Sequence, residues 1–435
     1  MTVHVRMYNV GFGDCFLVTL PDPRGERDRT ILIDCGRHVG TLGDDPPFWD
    51  VVDQLVADLP TLDGTKFIDV LVITHRHRDH VHGFSRAATW EDVRVGEVWM
   101  PWTENPSDSI ANGLRQQQDR VAALALHGLL ALGSGAADPS VSIALNSLTN
   151  QAAMTTIDAF DAPTQYLPDP LRPASTVLTS GGATGLPEGV RVHVLGPSRD
   201  PAVIRRLNPP SGQAYLRLVP AERRAPILSL DGPDGPELPD PPATPILWGG
   251  AWDLDRAQFE ALALTPRADL KPPYKSKDLE AVSRSALAGA SDLAVSVDDA
   301  LNGTSLVLLF EIGETLLLFP GDAQWGTWEA ILNDDAWVAL LDRVAFYKVG
   351  HHGSHNATPV EFVEQHLHAG VAMVSVSKTV YDTKGWKQIP KTELLDAMRG
   401  HGVALLLRSD DDPAVPPGDP RVTRKDNVWT EVALG

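Results

Sequence analysis

The chain has little cysteine, no long apolar run and a shortage of positive charge. Cys15 and Cys35 are the only cysteines among 435 residues, which is too few for a disulfide framework and favours a reducing compartment. No stretch approaches the ~20 uninterrupted apolar residues of a membrane span. The start, MTVHVRMYNVGFGD, lacks the basic and then apolar profile of a signal peptide. We therefore predict a soluble, cytoplasmic protein without a membrane partner.

Basic residues are outnumbered: 37 Lys and Arg stand against 57 Asp and Glu, which gives a formal net charge of −20. Binding to a nucleic-acid backbone depends on Lys and Arg that neutralise its phosphates, so this balance argues against long duplex DNA as a partner. Hydrophobic residues make up 43% of the chain, a share that is typical of a globular protein with a sizeable core.

Apolar runs with the periodicity of strands fall near the two ends of the chain. TVHVRMYNV alternates, and FIDVLVI, which ends at Ile73, is nearly continuous, as in a strand covered on both faces. The same signal returns in SLVLLFEI, AFYKVG and VAMVSVS, where it alternates with helical stretches such as KTELLDAMR. These patterns predict an α/β fold class.

The predicted organisation is a single domain that spans the whole chain, with its core divided between residues 1–104 and 296–435. Apolar residues at helical spacing predict a helical insertion over 105–190. A loop-rich, partly helical insertion is predicted over 205–295. Within it, the Pro- and Asp-rich stretch 225–245 predicts an exposed loop.

Four histidines and an aspartate crowd the segment THRHRDHVHG, residues 74–83, directly after FIDVLVI. Alternation along an extended chain places His75, His77 and Asp79 on one side, whereas His80 has the opposite parity and is available to a second centre. Imidazoles and carboxylates together suit zinc, and also manganese or iron. A solvated polar loop is the alternative, but unpartnered polar groups next to a buried strand would be costly.

Polar residues also follow two later apolar strands. Asp322 comes just after LLLFPG, and His351 and His352 come just after AFYKVG. Each signal is weak alone, because an aspartate at a strand end is more often a turn or helix cap. Together with the 75–80 motif, they predict a metal site where three strands end.

Several short motifs, in this order, resemble those of the metallo-β-lactamase superfamily. They are His-x-His-x-Asp-His at 75–80 followed by Gly83, Gly-Asp at 321–322, and HHGS at 351–354. Three further motifs are similar to its competence-related branch, which contains the hydrolase domain of ComEC-type DNA-uptake channels and free-standing relatives: NVGFGD at 9–14, ILIDCG at 31–36, and Asn-x-x-Ser at 302–305. The resemblance covers residues 1–104 and 296–410, approximately, and neither insertion.

The resemblance implies an αββα metallo-β-lactamase-like sandwich with the site on one edge, between two sheets. It implies that His75 and His77 bind a first metal ion. Asp79 and His80 would bind a second ion, and Asp322 would bridge the two. The implied cofactor is Zn²⁺, one or two ions, with Mn²⁺ or iron as alternatives.

A histidine of the HHGS motif is implied as a further ligand of the second ion. We favour His351, because it directly follows the strand, and we assign His352 to substrate contact or proton donation, with Asp79 as a proton relay. The superfamily commonly supplies another histidine to the first ion, and Asn302 stands at that place here. An amide oxygen is a weaker ligand than imidazole, so the first site is expected to be looser, with Glu104 as an alternative ligand.

The function that the resemblance implies is metal-dependent hydrolysis by a metal-bound hydroxide. Phosphodiesterase or nuclease action on small or single-stranded phosphate esters is the first choice. Arg76 and Arg78 flank the ligands, where they would either contact an anion or lie solvated at the surface. The alternatives are a carbonyl hydrolase acting on a lactone, lactam or thioester, and a non-catalytic metal-binding module that engages a protein partner.

Overall fold

The structure is a computed structural model of the protein. It describes residues 2–38, 47–135, 138–148, 150–168, 176–179, 185–210, 212–214, 276–354, 356–378, 389–411, 418–425 and 427–435. The predicted exposed loop 225–245 and most of the predicted insertion 205–295 lie outside these residues.

Sixteen β-strands are present among the described residues. In chain order they are β1 (Val3–Tyr8), β2 (Cys15–Leu20), β3 (Arg29–Cys35), β4 (Thr61–Leu62), β5 (Thr65–Val72), β6 (Val93–Pro101), β7 (Thr164–Leu167), β8 (Thr176–Thr179), β9 (Val190–Gly196), β10 (Val307–Ile312), β11 (Thr315–Phe319), β12 (Val344–Lys348), β13 (Val371–Val374), β14 (Leu405–Arg408), β15 (Val422–Lys425) and β16 (Trp429–Leu434).

These strands form two sheets. The first runs β15-β16-β1-β2-β3-β5-β6-β7, with β4 paired to β5, and the second runs β14-β13-β12-β11-β10-β9-β8. Strands β3, β5 and β6 are parallel, and so are β11 to β14. Parallel neighbours end at the same edge of a sheet, so the segments that follow β5 in one sheet and β11 and β12 in the other each leave from such an edge.

The apolar run in β5 forms a strand that is covered on both faces, as its sequence predicts. Val70 and Val72 join the apolar cluster between the sheets, and Leu71 joins the cluster on the outer face. Asp69, the one charged residue in the buried part of the strand, is ion-paired with Arg27 at 2.5 Å. The run therefore tolerates a charge because that charge is paired.

Ten α-helices are present among the described residues. In chain order they are α1 (Phe48–Asp58), α2 (Arg78–Val81), α3 (Ser109–Ala131), α4 (Pro139–Leu148), α5 (Gln151–Asp158), α6 (Pro201–Ile204), α7 (Ser276–Asn302), α8 (Trp325–Leu332), α9 (Asp335–Leu341) and α10 (Thr392–Gly400). Within the described residues, no helix combines the length and the apolar character needed to cross a membrane.

The two sheets pack face to face with helices on the outside. Val5 of the first sheet and Phe346 of the second belong to one apolar cluster between the sheets. Leu55 of α1 packs on the outer face of the first sheet, and Trp328 of α8 and Met398 of α10 pack on the outer face of the second. The predicted α/β class is therefore confirmed as a two-sheet α/β sandwich.

Helices α3, α4 and α7 pack together and connect the two predicted insertions. Ala125 and Leu129 of α3 meet Ala144 of α4 and Ala294 of α7 in one apolar cluster, and Val297 of α7 joins a second. The range predicted as a helical insertion also contributes β7 and β8, one to each sheet. Helix α7 ends at Asn302, so this helical bundle reaches the predicted site.

Candidate metal centre

The predicted site residues come together where β5, β11 and β12 end. The segment after β5 must pass close to neighbouring backbone, and two glycines make this possible. A Cβ on Gly13 would lie 2.8 Å from the Asp79 carbonyl oxygen, and a Cβ on Gly36 would collide with the backbone of Asp79 and His80. The Asp14 N–H donates to the Asp79 carbonyl at 2.9 Å, which fixes the segment against the turn after β1.

Four buried donors from three strand ends form what we call the carboxylate-rich cluster: Asp79, His80, Asp322 and His352. Their ligand atoms all lie within 4.8 Å of one another. The His80 Nε2 atom is 3.1 Å from Asp322 Oδ2, and His352 Nε2 is 3.3 Å from Asp79 Oδ2. Two imidazoles and two carboxylates match the mixed nitrogen and oxygen donors of zinc, manganese or iron, so these residues fit a metal ion.

Three uncharged donors lie beside this set and form what we call the neutral cluster: His75, His77 and Asn302. The His77 Nδ1 atom is 3.0 Å from His75 Nε2 and 2.9 Å from Asn302 Oδ1. The ring centroids of His75 and His80 are 4.1 Å apart, so the two clusters are adjacent. Asn302 thus lies beside the two histidines with which the sequence grouped it.

The two histidines of the HHGS motif are placed the other way round from the sequence assignment. His352 lies in the carboxylate-rich cluster, whereas the Nδ1 atom of His351 is 2.8 Å from Ser354 Oγ and its Nε2 is 3.4 Å from Asn302 Nδ2. Both residues have left-handed backbone, with φ of 44° and 53°, which costs roughly 1–2 kcal/mol each. The geometry therefore favours His352 over His351 as the metal ligand.

Charges in the carboxylate-rich cluster stabilise one another. Burial opposes ionisation of Asp79 and Asp322, but His80 together with His352 at Asp79, and His80 together with Lys348 at Asp322, lower the pKa of these carboxyls well below their ordinary value. Burial also opposes protonation of His80, but Asp322, Asp34 and Asp79 outweigh it and raise the pKa of His80 well above its ordinary value. This cluster therefore attracts positive charge.

The neutral cluster behaves in the opposite way. Burial, followed by the positive charge of nearby histidines, lowers the pKa of His75 well below its ordinary value. Burial also lowers the pKa of His77 to about 3, although Asp79 opposes the shift. Both imidazoles are therefore uncharged near neutral pH, with lone pairs available to a metal.

A second layer of side chains holds the carboxylate-rich cluster. Asp34 accepts from His80 Nδ1 at 2.8 Å, and the Ser375 carbonyl accepts from His352 Nδ1 at 2.9 Å. Lys348 is buried, pairs with Asp14 and lies 3.2 Å from Asp322 Oδ1. Sequence analysis assigned no role to Asp34, Lys348 or Ser375. Asp34 and Lys348 could have been found, because each is a charged residue inside an apolar strand.

The helical bundle also contacts the donors. Asn146 of α4 donates to Asp79 Oδ1 at 3.0 Å, and Ser147 Oγ is 3.2 Å from His77 Nε2. Asp298 Oδ1, from α7, lies 3.5 Å from the same His77 nitrogen. Sequence reasoning missed all three residues, because no local pattern connects helices of an insertion to a strand end.

The other polar residues of the histidine segment point to different partners. Arg76 is buried and pairs with Asp119 at 2.7 Å, so it is neither solvated nor directed at the clusters. Glu104, the alternative ligand, lies 3.9 Å from Arg76 and belongs to neither cluster. Arg78 donates to His82 Nε2 at 2.7 Å.

No family model matches the sequence, and no curated protein matches it either. The chemistry of the site therefore rests on its own residues. One group of buried donors carries negative charge, the adjacent group is neutral, and both suit a divalent metal ion.

Proposed function

We propose that the chain is a metal-dependent hydrolase with the metallo-β-lactamase fold, and that it acts on small or single-stranded phosphate esters. The observation that carries the proposal is the convergence of Asp79, His80, Asp322 and His352 from three strand ends into one buried group. The order of the motifs and the sandwich architecture support the same family. The carboxylate-rich cluster would hold one metal ion, and the neutral cluster would hold a second one more weakly.

A bound divalent ion supplies Lewis-acid activation of water and of a substrate oxygen. The protein's own part is to fix the donors. Because the backbone carbonyl of Ser375 accepts from His352 Nδ1, the lone pair of His352 is kept on Nε2, the atom that faces Asp79. Asp34 does the same for His80. Outer partners of this kind hold the ring orientation and raise ligand basicity.

His351 takes the role that sequence analysis assigned to His352. Its imidazole is half-buried, unlike the buried donors around it, so it can meet both the site and an entering substrate. Burial lowers the pKa of His351, which leaves a neutral ring that can accept a proton at Nε2. We assign His351 to substrate contact or proton transfer.

Burial of the donors favours a small substrate. His75, His80 and Asp322 are at most 1% exposed, and Asn146 and Ser147 of α4 lie directly against the site. Long duplex DNA would have to approach this enclosed group while the chain carries a net charge of −20. A nucleotide or a single-stranded end meets less repulsion.

One observation favours a carbonyl hydrolase as the second candidate. A phosphodiester keeps its negative charge, and arginine is the usual protein partner for that charge. The two arginines nearest the donors in sequence instead contact Asp119 and His82. A lactone, lactam or thioester carries no such charge and needs no guanidinium.

The test combines metal analysis with a substrate panel. Purified protein is assayed for bound metals and for turnover of bis-p-nitrophenyl phosphate, nucleotides, homoserine lactones and nitrocefin, before and after chelation. We expect phosphodiester turnover that chelation abolishes and metal restores. Turnover that persists in the double variant His75→Ala, His77→Ala would refute the proposal, with His401→Ala, an exposed histidine, as the control. Bound metal without turnover of any substrate would indicate a binding module instead.

A further inference from the structure

The two ring nitrogens of His77 face different surroundings. Nδ1 faces the other members of the neutral cluster, His75 and Asn302. Nε2 faces Ser147 Oγ at 3.2 Å and Asp298 Oδ1 at 3.5 Å. For His77 to bind a metal with His75 and Asn302, its hydrogen must be on Nε2 and its lone pair on Nδ1.

The amide of Asn302 has the same two-sided arrangement. Its oxygen faces His77, and its Nδ2 lies 3.3 Å from Asp298 Oδ2 and 3.4 Å from His351 Nε2. A rotation of the amide by a half turn would place the NH₂ group against the histidines, where it has no lone pair to offer. The oxygen is therefore useful in only one of two orientations.

Asp298 is the neighbour that both donors share. Positions 298 and 302 are four residues apart on α7, so they lie on one face of the helix. One carboxylate oxygen is turned to His77 Nε2 and the other to Asn302 Nδ2. A serine hydroxyl or an imidazole nitrogen can donate or accept, whereas an ionised carboxylate only accepts. Asp298 is thus the neighbour that favours a hydrogen on His77 Nε2 and an Asn302 oxygen turned toward the histidines over the reverse arrangement.

We propose that Asp298 is a positioning residue that keeps the His77 hydrogen on Nε2 and the Asn302 oxygen turned toward His75 and His77. This inference rests on the proposed function, since it concerns donors to a metal ion. A carboxylate behind a ligating histidine fixes its tautomer and raises its basicity. Asp298 would do so for the histidine and the amide together, and so strengthen the cluster whose donors carry no charge.

The location of Asp298 is costly for stability alone. The nearby carboxylates of Asp299, Asp79 and Asp322 repel a negative charge on Asp298. Among the described residues, no lysine or arginine is ion-paired with it. A half-buried carboxylate that faces other carboxylates without a cationic partner is unfavourable, and a divalent ion on the neighbouring donors would offset that cost.

The test compares Asp298→Asn with Asp299→Asn. Asp299 is the next residue on the same helix, is similarly surrounded by protein, and accepts from Asn356 at 3.1 Å rather than from the clusters. Its variant controls for the loss of one half-buried negative charge on the same helix. Both proteins and the wild type are titrated with Co²⁺ to resolve two classes of site, and the imidazole N–H signals of zinc-loaded protein are recorded by NMR.

We expect Asp298→Asn to weaken the weaker class of site by about 10- to 100-fold, the usual effect of losing an outer-shell partner. The stronger class should stay unchanged, and the slowly exchanging Nε2–H signal of His77 should be lost. Asp299→Asn should leave both the weaker site and the signal as in the wild type.

Other outcomes overturn the inference. Equal effects of the two variants would mean that charge or folding alone is at work, and unchanged affinity in Asp298→Asn would mean that Ser147 and His351 suffice. If Asp298→Asn fails to fold, a wild-type His77 that carries its hydrogen on Nδ1 still refutes the inference. Absence of metal binding in the wild type would instead refute the proposed function and, with it, this role for Asp298.

Discussion

The carboxylate-rich cluster and the neutral cluster lie side by side, but they differ in charge and in what supports them. Asp79 and Asp322 give the first cluster negative charge, and the sandwich supports it through Asp34 and Lys348. The second cluster has only imidazoles and an amide, and helix α7 of the helical bundle supports it through Asp298. The first cluster thus rests mainly on the core of the fold, with one contact from Asn146 of α4, whereas the second depends on the helical bundle.

This difference predicts unequal metal binding. Affinity for a hard divalent ion rises with the number of charged ligands, so the carboxylate-rich cluster should fill first. The neutral cluster should fill only at higher metal concentration. Substitutions at either cluster, or a change of pH, should reduce or increase this difference in metal affinity.

The largest effect is expected from Asp322→Ala, which removes a carboxylate from the stronger cluster. Since a catalytic metal ion contributes several kcal/mol, loss of its binding should lower kcat/KM by about a thousandfold or more. Steady-state kinetics with the best substrate of the panel and metal analysis measure the change. His401→Ala should match the wild type; an active Asp322→Ala protein with a full metal content would contradict the assignment.

Lys348→Met should have the next largest effect, which is a decrease in the free energy of unfolding. The buried ammonium is paired with Asp14 and Asp322, and removal of one partner of a buried pair costs about 3–5 kcal/mol. Urea unfolding of chelator-treated protein should show this loss, and added Zn²⁺ should restore part of it. Lys425→Met, on the edge strand β15, should change the unfolding midpoint little. Equal stability of the two variants would mean that Lys348 is not needed as a counter-charge.

A change of pH should affect the two clusters differently. The raised pKa of His80 means that its proton competes with a metal at Nε2, and the competition grows as pH falls. Affinity of the stronger cluster should drop by up to about tenfold between pH 8 and pH 7, because one proton is displaced. His77, with a pKa of about 3, should leave the weaker cluster unaffected over that range. Titrations at both pH values test this, and equal slopes would contradict it.

Asn302→Asp should have the smallest effect, and it should reduce the difference in metal affinity between the two clusters. It adds a charged ligand to the neutral cluster at nearly constant volume, and affinity of the weaker site should rise about fivefold through the added charge. The Co²⁺ titration measures this directly. Asn333→Asp, on the surface after α8, serves as the control. Unchanged or lower affinity would show that Asn302 is not a ligand.

Much of the carboxylate-rich cluster was predictable because its residues follow apolar strands. FIDVLVI, LLLFPG and AFYKVG are recognisable from local pattern, and parallel strands bring their ends to one place. The choice between His351 and His352 was not predictable, because it depends on two consecutive left-handed residues without glycine. Its position directly after the strand pointed to the first histidine, whereas the turn places the second one in the carboxylate-rich cluster.

For the neutral cluster, the sequence predicted the three donor residues but none of the side chains that support them. His75 and His77 are in the motif, and Asn302 was identified by comparison with a superfamily pattern. Asp298, Ser147 and Asn146 carry no such signal, because helices of two separate insertions must first pack through Ala144 and Ala294 before these side chains reach the site. That packing is a tertiary event, which local periodicity does not encode.

Helix α7 packs against apolar neighbours along Ala294 and Val297, and its final turn contacts polar neighbours at the site. A shortened chain that keeps only the sandwich would therefore remove Asp298 and Ser147 from the neutral cluster, and it would also remove Asn146 from Asp79 in the carboxylate-rich cluster. We expect a chain trimmed in this way to lose metal affinity at both clusters, and more at the neutral cluster, so residues 109–158 and 276–302 should be retained.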